Sequence, residues 1–303
     1  HPDRGPNAEA YHDKKSKLET RPFLRPDFQP FVLRFAVDTK ANQIRVLGGT
    51  KLTLPDGKPM TGLPNFLPPK TGSRTGDETP VNQSGHPLPM DPMGIDPESM
   101  CVHNDFIWMV EEYGPSLLKF TKEGKLLTRF VPEGYFPTPP AFVKQTLPKE
   151  LLTRRMNRGF EGMACDGKQL YLALQSPLPS SGMNVPILVF DLGEERVVRQ
   201  LSYPLESMET EKIGDLAIRG AELLVLEQNS KTGKKSSHKI FSINPSTIMG
   251  PLTKRLVIDL PARGYDFEKM EGLAVADDHI VVLNDNDFGL GADKRSVLAL
   301  FKD

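Results

Sequence analysis

Apolar residues along this chain come in short runs. Some alternate with polar residues and others are wholly apolar for up to five positions, and each run stops at Gly, Pro, Asn, Asp or a charged pair. Runs of this length and period are strands rather than helices. They predict strands over 31–37, 43–47, 106–110, 116–120, 125–130, 169–174, 186–190, 195–201, 222–226, 239–243, 254–260, 279–283 and 296–301. One segment, 148–155, has helical character, with Pro148 near its start. Residues 55–97 are rich in Pro and Gly and poor in strand formers, which predicts a long surface loop within a single domain spanning 1–303.

A pattern recurs within these strands. Glu98-Ser-Met-Cys101 precedes the run 106–110, and Glu161-Gly-Met-Ala164 precedes 170–174. Asp215-Leu-Ala217 precedes 223–226, and Glu271-Gly-Leu-Ala274 precedes 280–283. Each copy is an acidic residue, a small apolar segment, a polar turn and a strand. Each strand then ends in polar residues: Glu111-Glu112, Gln175, Glu227-Gln228 and Asn284-Asp285-Asn286-Asp287. The copies lie roughly 54–63 residues apart with about four strand runs in each interval, the signature of a propeller blade. The expected fold is therefore an all-β propeller of four-stranded blades, six-bladed when complete. The helices that a doubly wound α/β sheet needs between strands are missing.

Composition narrows the function. Lys+Arg number 38 and Asp+Glu 39, a net charge of −1, so no basic field favours nucleic acid as partner. No apolar run exceeds five residues, so no membrane span is expected. The two cysteines exclude a disulfide-rich scaffold and a cysteine-only zinc cage. Cys101 and Cys165 follow acidic blade motifs on neighbouring inner strands. Their states to weigh are buried thiols, a disulfide or metal ligation.

A hairpin sets its open ends side by side. Glu98 is thus expected near Glu111 and Glu112, Glu161 near Gln175, Asp215 near Glu227, and Glu271 near Asp285 and Asp287. Carboxylates crowded at one channel mouth repel one another unless a cation compensates, and hard oxygen donors in such number suit calcium. The expected metal ligands are Glu98, Glu112, Glu161, Asp215, Glu227, Glu271 and Asp285. The same carboxylates could instead accept backbone N–H bonds and hold blades together. Arginine forks bind phosphate, so Arg4, Arg154 and Arg158 are candidate phosphate ligands, with a salt bridge to a channel carboxylate as the competing role for Arg158 and Arg4. There is no Gly-x-Ser-x-Gly elbow, and no two histidines have zinc spacing. A hydrolytic site here would use a metal-activated water.

Several stretches resemble the phytase-like family, described as "esterase-like activity of phytase". They are Asp3-Arg-Gly-Pro-Asn7, Gly94-Ile-Asp-Pro-Glu98, Trp108-Met-Val-Glu-Glu-Tyr-Gly-Pro-Ser116, Asn157-Arg-Gly-Phe-Glu-Gly-Met-Ala164, Leu174-Gln-Ser-Pro-Leu178 and Glu271-Gly-Leu-Ala274. Ser99 and Cys101 stand where the family has Gly and Ala. The resemblance implies a propeller and a hydrolase of phosphoric esters that is exported, either secreted or periplasmic. The leading expectation is calcium-dependent hydrolysis of a small phosphorylated substrate at the channel mouth. Glu161, Glu112 and Glu271 would activate water, and Arg4, Arg158 and Arg154 would hold phosphate. The alternatives are a lactonase or carboxylesterase on a calcium propeller, and a non-catalytic binding propeller.

Asp3-Arg-Gly-Pro-Asn7 occupies the place that Glu112-Tyr-Gly-Pro-Ser116 holds in the next repeat. It is expected to end a second strand, with 31–37 and 43–47 as the third and fourth strands of that blade. The remaining strands are expected from a cleaved N-terminal fragment of the same precursor.

Overall fold

The computed structural model describes residues 3–65, 77–207, 210–247, 252–290 and 294–302. Most of the predicted runs form antiparallel sheets built from sequence neighbours, as short period-two segments joined by tight turns dictate. The first large sheet has five strands: β6 (Pro97–His103), β7 (Phe106–Glu111), β8 (Ser116–Thr121), β9 (Leu126–Pro132) and β10 (Val143–Leu147). Here β10 joins the outer edge in parallel to β9. The second sheet is β11 (Phe160–Cys165), β12 (Gln169–Leu174), β13 (Asn184–Asp191) and β14 (Arg196–Pro204). The third is β15 (Lys212–Arg219), β16 (Glu222–Gln228), β17 (His238–Ile243) and β18 (Lys254–Asp259). The fourth is three-stranded: β19 (Met270–Ala276), β20 (His279–Asn284) and β21 (Leu298–Lys302).

The first strands of these sheets, β6, β11, β15 and β19, pack side by side in that order. The sheets are thus stacked as propeller blades. Between them lies the core. Trp108, Val110, Leu117 and Phe130 of the first sheet meet Leu170, Leu172 and Phe190 of the second in one apolar cluster. Leu224, Leu226 and Ile240 of the third sheet meet Leu273, Ile280 and Val282 of the fourth in another.

The N-terminal region forms smaller pieces. β1 (Tyr11–His12), β2 (Glu19–Pro22) and β5 (Thr79–Val81) make a three-stranded sheet, with β2 and β5 parallel. β3 (Phe31–Asp38) and β4 (Gln43–Lys51) form a hairpin whose strands pair only with each other. Its register places Phe31, Leu33, Phe35 and Val37 on one face with Val46 and Ile44. All six of these side chains are between 37% and 58–62% exposed.

Two segments differ from their sequence patterns. The expected helix at 148–155 is a single 3-10 turn, Lys149–Thr153. Five residues cannot repay α-helix nucleation, and Arg154 is extended so that its guanidinium reaches Asp77 at 2.6 Å. Within 55–97, Met60 and Ile95 are buried against Ile107, Met109 and Phe120, and β5 is a strand. That stretch therefore roofs the outer face of the first sheet; residues 66–76 lie outside the described residues.

Candidate functional site

Each inner strand carries a β-bulge at the same place. Register shifts fall between Pro97 and Ser99, Phe160 and Gly162, Ile213 and Asp215, and Met270 and Gly272. The extra residues are Glu98, Glu161, Gly214 and Glu271. A bulge re-aims one side chain out of the pleat. Here it turns three glutamates from three different sheets into a shared cavity of about 200 Å³. Glu112, Gln175 and Asp285, each just past the end of a second strand, face the same cavity. Asp3, Asp96 and Asp287 complete its acidic lining, while Arg4, Arg21, Arg158, Lys212 and Lys269 supply positive charge.

The bulge also explains which expected residues do not arrive. Gly214, not Asp215, is the counterpart of Glu161. A Cβ on Gly214 would lie 2.3 Å from the Met270 carbonyl oxygen, so this blade cannot present an acid there. Asp215 is one position on and points to the other side, because strand side chains alternate. Its Oδ1 accepts from Ser99 Oγ and from the Leu216 N–H, both at 2.8 Å. Its Oδ2 accepts from the Leu273 N–H at 2.8 Å, so Asp215 ties three inner strands together. Glu227 is likewise out of phase. By register it corresponds to Glu111, whereas Glu112 corresponds to Gln228. Glu227 is fully buried and accepts from Tyr203 Oη at 2.5 Å and from Lys254 Nζ. Glu111 plays the same part with Ser116 Oγ at 2.7 Å and Arg129 Nη2 at 2.8 Å. Arg154 is buried against Asp77 and does not line the cavity. Of the expected set, Glu98, Glu112, Glu161, Glu271, Asp285, Arg4 and Arg158 come together; Asp215, Glu227 and Arg154 do not.

The pattern missed Asp96 and Lys212. Asp96 lies two residues before Glu98 and its carbonyl accepts the Glu112 N–H at 2.8 Å, which draws the two acids together. The Gly94-Ile-Asp-Pro-Glu98 stretch held that signal. Lys212 Nζ is 3.8 Å from Glu271 Oε1. No sequence feature marked it, since it precedes the bulge it serves.

The electrostatics of this cavity are strained. Burial, reinforced by the nearby Glu161 and Asp96 charges, lifts the Glu98 carboxyl well above the usual carboxylate range. Burial and then Glu112 and Glu271 do the same to Glu161, against Lys212 and the Gln175 amide, which donates to Glu161 Oε2 at 2.5 Å. Asp96 is also raised by burial, although Arg4 Nη1 sits 2.5 Å from its Oδ2. Carboxylate oxygens of Asp96, Glu98 and Glu112 lie within 4.8 Å of one another. Glu112 Oε1 is buried and accepts no hydrogen bond from any described residue. An unsatisfied buried carboxylate oxygen is costly, and a cation relieves that cost together with the mutual repulsion. The donor set, oxygen only, fits a hard cation.

The arginines divide. Arg4 is engaged by Asp96 and also donates to Tyr113 Oη at 3.3 Å and Asn157 Oδ1 at 3.2 Å. Arg158 donates to the carbonyl of its neighbour Asn157 at 2.5 Å, and among the described residues no carboxylate lies within salt-bridge distance of it. Its guanidinium remains open to an anion in the cavity.

Comparison with known proteins gives one curated relative, an uncharacterized secreted protein of Arthroderma benhamiae. It is 30% identical over 209 residues, which is 60% of this chain and 40% of that protein. Solved structures with similar folds include a putative 6-phosphogluconolactonase from Bacteroides uniformis, at 13% identity, covering 97% of this chain and 80% of that one, with a TM-score of 0.41. Another is the PQQ-bound aldose sugar dehydrogenase of Streptomyces coelicolor, at 11% identity, covering 98% and 95%, with a TM-score of 0.44. The phytase-like family model, described as esterase-like activity of phytase, matches residues 16–288, and the chain belongs to that family.

Proposed function

We propose that this protein is a calcium-dependent hydrolase of phosphoric esters acting in the acidic cavity. The observation that carries the reading is the pairing in one cavity of a Glu112 oxygen that accepts no hydrogen bond from any described residue with an Arg158 guanidinium that has no described carboxylate within salt-bridge distance. Asp96, Glu98 and Glu112 would hold the cation, and Glu161, Glu271 and Asp285, which line the same cavity, would add to its shell. When bound, calcium supplies Lewis-acid polarisation of the phosphoryl group and lowers the pKa of a coordinated water. Arg158 fixes the phosphate by its fork. Glu161, held by the Gln175 amide, takes the proton of the attacking water. The P–O ester bond breaks as the new P–O bond forms, and Lys212 gives a proton to the leaving oxygen. Arg4 serves the site by orienting Asp96 rather than by binding phosphate. A cavity closed by its own salt bridges would favour a non-catalytic binding propeller; the Arg4–Asp96 pair supports that reading and the open Arg158 opposes it.

The test is metal analysis of the purified protein followed by assays on a phosphomonoester, a lactone and a carboxylic ester, each with calcium and with chelator. Phosphoester turnover that needs calcium is expected, and Arg158→Ala should raise KM about 10–100-fold, the worth of a charge-assisted pair. Turnover confined to the lactone or carboxylic ester would replace the substrate class. No turnover with calcium bound would leave a binding protein.

We also propose that the protein is exported, as the name of its Arthroderma relative supports. The apolar face of β3–β4 supports a further partner, another polypeptide whose β-strands pack on it. Denaturing gels of material from the natural source should then show a second polypeptide. A monomeric, cooperatively folded chain alone would refute it.

A further inference from the structure

The ends of β6 and β11 remote from the acidic cavity bring the only two cysteines of the chain together. The register between these neighbouring strands is set by Ser99 Oγ, which donates to the Met163 carbonyl at 3.4 Å. Two residues further along each strand, on the same side, are Cys101 and Cys165. Both residues pack against the same apolar cluster, close enough that each sulfur perturbs the titration of the other, and both are half-buried and so reachable from solvent. The neighbouring strands β6 and β11 thus carry the two sulfurs on one side at matching positions, the placement that a disulfide between strands needs.

We infer that Cys101 and Cys165 form an inter-blade disulfide site, oxidised by exchange with an external small-molecule disulfide. Cys165 is the attacking sulfur. The Cys101 S–H and the Gly167 N–H, 3.4 Å from its sulfur, stabilise the thiolate and bring its pKa to about 6. The Cys165 sulfur, and after it burial, push Cys101 up, so it stays a thiol until the second step. In the first step the Cys165 thiolate attacks one sulfur of the external disulfide, forming a mixed disulfide and releasing one thiolate. Cys101 then loses its proton to solvent and attacks the Cys165 sulfur, releasing the second thiolate. The protein loses two electrons and two protons, and the external disulfide gains both electrons.

The bond would clamp the strands that carry Glu98 and Glu161. Cys101 lies three residues beyond Glu98 and Cys165 four beyond Glu161, so the clamp sits roughly 10–13 Å from the cavity, on the same two strands. Fixing one end limits how far the carboxylates at the other can splay. The inference does not depend on which substrate the cavity takes.

The experiment is peptide mass mapping without reduction, after equilibrating the folded protein in oxidised and in reduced glutathione. The oxidised sample should lose the mass of two hydrogens, yield one cross-linked peptide pair containing residues 101 and 165, and titrate no free thiol. Its melting temperature should exceed that of the reduced sample, and Cys101→Ser should abolish the difference. The wild-type map decides the matter even if that variant does not fold. Two free thiols persisting in oxidised glutathione, or a cross-link that forms only under denaturing conditions, would overturn the inference.

Discussion

Adjacent glutamates of identical charge do opposite work here. Glu111 is buried with Arg129, and both are fully enclosed. Glu112 turns to the cavity with an unpaired oxygen. Removing one partner of a buried ion pair strands the other, typically at about 3–5 kcal/mol. Glu111→Ala should therefore lower the unfolding free energy by that much with or without calcium. Glu112→Gln should leave the metal-free protein as stable or more so, yet lose the gain that calcium gives. Thermal melts of both variants in calcium and in chelator separate the two roles. The sequence displayed these residue types plainly. It did not display their parity, because a bulge shifts the phase of everything after it; Asp215 and Glu227 are misplaced in the pattern for that single reason.

The pH dependence belongs to the same scale. In the metal-free fold Glu98, Glu161 and Asp96 are raised above their unfolded values. The folded state then holds more protons than the unfolded state above the ordinary carboxylate range. The stability these three acids contribute is full below about pH 4 and is lost as pH climbs toward the raised values. A cation replaces those protons. The melting-temperature gap between calcium and chelator should widen as pH rises above the ordinary carboxylate range, and calorimetry in buffers of different ionisation enthalpy should show protons released on binding. A gap independent of pH would mean that these acids are not the ligands.

At the level of elements, strands were legible because period-two runs and their turn residues are local signals. The parallel addition of β10 was not, since it depends on a partner, β9, across an irregular connection. Gly214 shows what the bulges require of the chain. Its missing side chain lets β19 come within reach of β15 and lets Gln228 Oε1 accept the Met270 N–H at 2.9 Å. Gly214→Ala puts a methyl group against backbone that cannot yield, so about 1–3 kcal/mol should be lost, as in other overpacked sites. Urea unfolding would read this as a lower midpoint at unchanged slope. A neutral result would show that β15 and β19 can part at small cost.

For the whole molecule, the recurrence of acid, turn and strand revealed stacked blades. The number of blades around a ring was not legible, because it depends on the angle between neighbours rather than on any one repeat. Stacked units that touch only their neighbours tend to melt piecemeal, edges first. The three bulged glutamates alter that expectation because they come from the first, second and fourth sheets. The first sheet supplies Asp96, Glu98 and Glu112, and the proposed shell draws Glu161 and Glu271 from the second and fourth, so a chain with those sheets unfolded binds the ion less tightly. That part of the binding free energy falls on the state in which every sheet is in place. The ion thereby acts as an enforcer of cooperativity. With calcium, the calorimetric and van't Hoff enthalpies should agree in a single transition; in chelator, partly unfolded species should appear between native and denatured chains.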